Sequence, residues 1–269
     1  MLIDTHCHLD YLDVPGIAGG IGGAVARART VGVAGVIVPA VAPQNFERVV
    51  ALADQIPEVF FALGIHPMYV EDLSDTSLQA LQNALERHRD HPKLVAVGEI
   101  GLDHHVPHLN REKMQKFYLA QCRMARDLDL PVVLHVRKAQ DQVLKGLRTF
   151  NLRQGIAHAF NGSLVQAQGF IHQGLALGFG GAMTFTRAAQ IRRLATTLPI
   201  QSLVLETDSP DIAPAWREKG ALNEPVELQR IAECLAGLRS ESPEVVMRAT
   251  AENALRVMPR LHAQLPLKP

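Results

Sequence analysis

Eight short apolar runs, separated by longer amphipathic stretches, constrain this fold more than any other feature of the chain. They cover residues 2–5, 33–39, 59–65, 94–98, 131–135, 155–160, 175–180 and 203–207. None alternates strictly between polar and apolar residues, so each reads as a strand covered on both faces, the habit of parallel sheets. The intervening segments have helical spacing. Residues 77–89 set Leu78, Leu81 and Leu85 on one stripe, and residues 111–128 carry Met114, Phe117, Leu119 and Met124. Asp75, Thr76 and Ser77 offer N-cap chemistry before the first, and Ser163 does so for the helix ahead of His172. Residues 224–238 and 243–257 read as two closing helices.

Strands alternating with helices imply a parallel sheet, and eight is the number that closes a barrel. The expectation is therefore an α/β chain, a (β/α)8 TIM barrel spanning residues 1–269 as a single domain, with additional C-terminal helices. The alternative is an open doubly wound sheet, but no Gly-x-Gly-x-x-Gly turn or P-loop stands where that fold needs one. The Pro- and Leu-rich tail from Leu265 is expected to be loosely held.

Lys plus Arg total 27 and Asp plus Glu total 27, so overall charge cannot hold a polyanion and any such grip must be local. Cys7, Cys122 and Cys234 form no Cys-x-x-Cys pair, which fits reduced thiols in a cytoplasmic protein. The opening MLIDTHCHLD lacks a basic region followed by a long apolar run, so no signal peptide is expected, and no apolar run is long enough for a bilayer. Neither a membrane nor an obligate protein partner is expected.

The chemistry lies at the ends of the apolar runs. His6 and His8 close the first, Glu99 the fourth, His135 the fifth, His158 the sixth and Asp208 the eighth. In a parallel barrel those ends converge on one mouth. Two histidines spaced by two on a strand point the same way and can share one metal. Glu99 follows an apolar strand between Gly98 and Gly101, which would clear space for something bulky, and its two oxygens can bridge two cations. His135 and His158 interrupt adjacent apolar runs in the same register, as a pair of ligands to a second metal would. Asp208 reads as a ligand and proton acceptor, and Glu206 as a partner orienting a histidine. Two divalent ions held this way would activate a water and stabilise the attacking and leaving oxygens, with Asp208 taking the proton. That predicts hydrolysis without a covalent enzyme intermediate, and no Gly-x-Ser-x-Gly elbow offers a serine instead.

The motifs DTHCHLD (4–10), LGIHP (63–67), VGEIGLD (97–103), LPVVLHVRKA (130–139), AHAFNGS (157–163), LETDSPDIAP (205–214) and NEP (223–225) run in order over nearly the whole chain. In these it resembles the TatD-related deoxyribonucleases of the amidohydrolase superfamily. The resemblance implies a metal-dependent phosphodiesterase, often a 3′-to-5′ nuclease on DNA. It implies one metal on His6, His8, Glu99 and Asp208, and another on Glu99, His135 and His158. Two positions depart from the family pattern. Val136 replaces a small hydroxyl residue, and Asn161 replaces a serine; both bear on substrate preference.

His66, Arg137, Arg187 and Asp103 are the expected substrate contacts, His66 and the arginines through phosphate, Asp103 through a hydroxyl unless it supports a histidine. Cys7 is expected to pack in the barrel wall, and His104, His105 and His108 to lie in a solvated loop. Imidazole with carboxylate suits zinc first, then manganese or cobalt, with magnesium possible when abundant. The expected partner is nucleic acid, met at DNA strand ends. Two alternatives stand beside this reading. A dinuclear amidohydrolase would cut a C–N or ester bond, but many such barrels carry a bridging lysine at the fourth strand, where Glu99 stands here. A non-catalytic metal scaffold would favour a closed, cysteine-rich site.

Overall fold

The computed structural model describes residues 1–265. Its eight strands are β1 (Leu2–Asp4), β2 (Val33–Pro39), β3 (Val59–Leu63), β4 (Leu94–Asp103), β5 (Val132–Arg137), β6 (Gly155–Ala157), β7 (Ala176–Phe179) and β8 (Leu203–Leu205). All pair in parallel in the order β1 to β8. Beyond the strand ends the sheet closes: Thr5 N–H donates to Leu205 O (3.1 Å) and Asp208 N–H to His6 O (2.8 Å). The buried Asp4 carboxylate ties the same seam, accepting from Thr207 N–H (2.9 Å) and the Thr207 hydroxyl (2.6 Å). The result is the (β/α)8 barrel that the eight runs imply.

The α-helices are α1 (Gly20–Thr30), α2 (Phe46–Gln55), α3 (Asp75–Arg87), α4 (Arg111–Asp127), α5 (Gln140–Thr149), α6 (Leu164–His172), α7 (Ala189–Thr197), α8 (Leu228–Arg239), α9 (Pro243–Val257) and α10 (Pro259–Gln264). Their apolar stripes cover the outer face of the sheet. Leu81 and Leu85 of α3 and Met114 and Phe117 of α4 are buried there, while Leu78, Leu119 and Met124 pack at its margin. A second apolar cluster fills the barrel interior and continues onto α9 and α10, with Ile37, Phe60, Val133 and Val204 meeting Leu255, Met258 and Leu261. Ser163 caps α6 in a reciprocal box with Gln166 (3.1 and 2.9 Å). The N-cap of α3 is Ser74, one residue before the cluster of candidates. Leu265, expected to be loose, packs against the interior cluster; the rest of that tail lies outside the described residues. Among the described residues no helix is long and apolar enough to cross a membrane.

The strands that carry chemistry depart from the simple run-and-stop pattern. β6 and β8 stop early, so His158 and Asp208 stand on the loops that follow them. β4 instead runs on to Asp103, and its register against β5 shifts between Val97 and Ile100. Such an irregularity re-aims the side chain it contains, here Glu99. The glycines around Glu99 do not clear room for a ligand. A Cβ at Gly98 would sit 2.6 Å from Val133 Cβ, and one at Gly101 (φ +149°) would sit 1.9 Å from His135 O. Their missing side chains let β5 close against the irregular stretch of β4.

Candidate metal centre

Six candidate ligands from five strand ends meet at the C-terminal mouth. Glu99 is the hub, 1% exposed, with its two oxygens facing different neighbours. Oε2 lies 3.2 Å from His6 Nε2 and 3.6 Å from His8 Nε2, and Asp208 Oδ1 lies 3.4 and 3.8 Å from the same two nitrogens. Oε1 lies 2.8 Å from His158 Nε2 and 3.1 Å from His135 Nδ1. The chain past β1 is pinned on both sides, since Cys7 N–H bonds Ile37 O of β2 (3.1 Å). His8 then starts a short 3-10 turn, Leu9–Tyr11, and Cys7 is buried in the wall as expected.

The electrostatics of this cluster call for a cation. Glu99 Oε2 is buried yet has no hydrogen-bond partner, and five histidine ring nitrogens crowd around the carboxylate within 4 Å. Burial opposes ionisation of Glu99, but His66, His158, His6 and the His135 hydrogen bond outweigh it and hold the carboxyl well below its usual range. Burial likewise opposes charge on His158, but the Glu99 carboxylate overrides it and lifts the imidazole to about 10. These residues therefore fit divalent metal, as imidazole and carboxylate donors do.

His66, from the loop after β3, belongs to the same cluster, with Nε2 3.1 Å from both Glu99 Oε1 and His135 Nδ1. Its protonation separates it from the ligands. Met68 N–H donates to His66 Nδ1 (3.2 Å), and burial pushes the imidazole down to about 4. The neutral ring then carries its one proton on Nε2, a donor that faces Glu99 Oε1 at the wall of the cavity. That suits the expected contact with a substrate oxygen better than metal ligation.

Position settles Asp103 in favour of histidine support and corrects the expected roles of Glu206 and the two arginines. Asp103 is fully buried and has no face for substrate. Its Oδ2 lies 3.1 Å from His135 Nε2, and its Oδ1 accepts from His105 N–H (2.7 Å) and Val106 N–H (3.2 Å). Burial raises its pKa, but these donors win and hold it at about 2. Ionised Asp103 accepts a hydrogen bond from His135 Nε2–H and fixes the ring with Nδ1 towards Glu99, the arrangement that orients a metal-binding imidazole. Glu206 lies 4.0 Å from His158 Nδ1, beyond hydrogen-bond reach, and instead accepts from Ala159 N–H (2.5 Å). It fixes the left-handed turn at Ala159 (φ +44°), and thereby where His158 points, through the backbone. Burial raises its carboxyl to about 8. Neither arginine lines the cavity that contains the cluster. Arg137 is half exposed, with Nη1 3.9 Å from Asp103 Oδ2, and Arg187 stacks on Phe185 in a neighbouring depression.

Sequence reasoning missed several contributors. Asn223 is buried and donates to Thr207 O (2.7 Å) and Asp211 O (3.1 Å), which clamps the loop that bears Asp208. Its signal was the NEP motif, whose Glu224 pairs with Arg27 Nε (2.9 Å). The cavity, about 630 Å³, is also lined by Tyr11, Val14, Val41, Met68, Tyr69, Pro210 and Asp211. Replacing Asp103 with asparagine should lower metal affinity about 10- to 100-fold, because His135 loses its orienting acceptor. Chelator competition measures this, and an unchanged affinity would refute the role.

Comparison with known proteins bears on what this centre is. Residues 3–259 match the family described as TatD-related DNase. An uncharacterized metal-dependent hydrolase of Escherichia coli K12, YjjV, is 41% identical over 252 residues, covering 93% of this chain and 95% of that protein. Its crystal structure superposes with a TM-score of 0.89 at 40% identity, over 96% of this chain and 98% of the other. An uncharacterized metal-dependent hydrolase of Haemophilus influenzae is 34% identical, over 94% of this chain and 98% of its own length. With its barrel and its histidine–carboxylate cluster in the company of these relatives, the chain belongs to the TatD-related DNase family and is a metal-dependent hydrolase.

Proposed function

We propose that this chain is a dinuclear phosphodiesterase that acts on the ends of DNA strands, in the manner of a 3′-to-5′ exonuclease. The observation that carries this reading is the two-sided environment of Glu99, with His6, His8 and Asp208 about one oxygen and His135 and His158 about the other. His6, His8, Glu99 and Asp208 would hold one cation, and Glu99, His135 and His158 the other, with zinc the best-suited metal and manganese, cobalt or magnesium as substitutes. When bound, such ions supply Lewis acidity to a phosphoryl oxygen and make water a stronger acid.

The chain's own residues divide the remaining work. Asp208, on the loop after β8, lines the cavity and keeps part of its carboxylate exposed there. Burial raises its carboxyl above the usual range, which suits it to accept the proton of the attacking water and return it to the leaving oxygen. His66 Nε2–H donates to a non-bridging oxygen. Among the described residues no lysine or arginine lines the cavity. Few phosphates can therefore be gripped at once, which favours a strand end over a long duplex.

The test pairs metal analysis with a substrate panel of single-stranded DNA, duplex DNA, RNA, a model phosphodiester and an amide or lactone. Metal-loaded protein should hydrolyse single-stranded DNA from its end. A chelator should remove at least about a hundredfold of that activity, the several kcal/mol supplied by a metal Lewis acid, and a divalent ion should restore it. Binding should weaken only gently with salt, with a log–log slope of about −1 to −2 for one to three phosphate contacts. Activity on the amide or lactone alone would establish the amidohydrolase alternative.

A further inference from the structure

The mouth of the metal cavity carries a second sequence pattern besides its ligands. His8-Leu9-Asp10-Tyr11 and His66-Pro67-Met68-Tyr69 are two copies of His-x-x-Tyr. Each histidine is the N-cap of a short 3-10 turn, Leu9–Tyr11 in one case and Pro67–Asp72 in the other. With three residues per 3-10 turn, positions three apart stand one above the other. Each tyrosine therefore rises over its own histidine, with ring centroids 6.0 Å apart for His8 and Tyr11 and 6.1 Å for His66 and Tyr69. His8 belongs to one half of the cluster and His66 adjoins the other, so one phenol ring stands above each half.

Both rings line the cavity and both are left exposed, at 41% and 45%. Met68 and Val14 lie exposed on the same rim. A continuous apolar and aromatic rim above a polar, cation-binding floor marks a surface that a ligand completes. The floor takes a phosphate, and the rim offers flat faces on which a nucleobase can stack without a sequence-specific hydrogen bond. A cavity of about 630 Å³ suits a terminal nucleotide.

Building on the phosphodiesterase reading, we propose that Tyr11 and Tyr69 are specificity residues that stack the terminal base of the strand while its phosphodiester lies on the metal centre. The site then selects a base-bearing end over a bare sugar-phosphate end, with little preference among bases, because every base has a π face.

The experiment compares two single-stranded oligonucleotides that differ only in an abasic 3′-terminal nucleotide, cleaved by the metal-loaded full chain. The wild type should favour the base-bearing end by about tenfold or more in kcat/KM, carried mainly by KM. Tyr11→Leu with Tyr69→Leu should collapse that ratio towards one, and Tyr11→Phe with Tyr69→Phe should keep it. A second readout needs no turnover. A terminal 2-aminopurine should lose fluorescence on binding metal-free wild type and the phenylalanine variant, but not the leucine variant. Equal use of both ends by the wild type, or a leucine variant that keeps both preference and quenching, would overturn the stacking site alone. Hydrolysis of neither strand would overturn the phosphodiesterase reading and the stacking site with it.

Discussion

Replacing Glu99 with alanine should lower turnover by at least about a thousandfold, the several kcal/mol that a metal centre contributes to a developing negative charge. Metal content should fall with it. The size of the effect follows from one side chain serving both halves of the cluster. Its Oε2 faces His6 and His8, its Oε1 faces His135 and His158, and among the described residues no other carboxylate reaches both sets. Loss of Asp208 would leave the His135–His158 half with its anionic donor, so the Asp208→Asn variant should keep more metal than Glu99→Ala. Glu99→Gln separates charge from shape, because it keeps the side-chain volume and one acceptor oxygen while removing the charge. Metal content and kcat measured side by side on the three variants check this. A Glu99→Ala chain with wild-type turnover and metal content would leave the account without its hub.

Stripping the metal should lower the melting temperature by about 10–20 °C. Each cation present at a hundredfold excess over its dissociation constant adds about 2.7 kcal/mol, and about 2–4 °C follows from each kcal/mol in a chain of this size. The metal-free cluster is poorly satisfied, because Glu99 Oε2 is buried without a hydrogen-bond partner. The difference should also grow with pH. Burial opposes a proton on His158, but Glu99 overrides it and holds the imidazole near 10. A histidine raised in this way stabilises the metal-free fold fully below its unfolded value near 6.5, and that contribution fades as pH rises towards 10. Over the same range a cation competes with fewer protons for the same nitrogen. Calorimetry at pH 6 and pH 9, with and without chelator, reads the effect. A melting temperature that does not respond to metal would contradict it.

Much of this centre was legible because buried parallel strands are apolar throughout, so that a polar residue in or just past one stands out. His135 and His158 were visible for that reason, and Glu99 and Asp208 because they follow apolar runs at once. The register shift in β4 was not legible. The residues from Ile100 to Asp103 read as a loop, since nothing in Gly-Leu-Asp announces a strand that resumes after an irregular step. That left Asp103 undecided between substrate contact and histidine support, because its task depends on pairing beside Arg137 within reach of His135. Glu206 was read as bonding a histidine directly, but β8 ends at Leu205 and its carboxylate turns to the Ala159 backbone. Tyr11 and Tyr69 were passed over because a three-residue repeat on a 3-10 turn is too short to register as periodicity. Arg137 and Arg187 looked like phosphate contacts from their places after β5 and β7, but both side chains point outside the cavity that holds the cluster.

The central claim is that Glu99 sits between two cations. Anomalous diffraction from crystals grown with manganese or zinc tests it most directly. The account predicts two peaks about 3.5–4 Å apart, the spacing of two-metal sites, one beside His6, His8 and Asp208 and the other beside His135 and His158, with one Glu99 oxygen on each and His66 bound to neither. A single peak, or peaks away from Glu99, would contradict it.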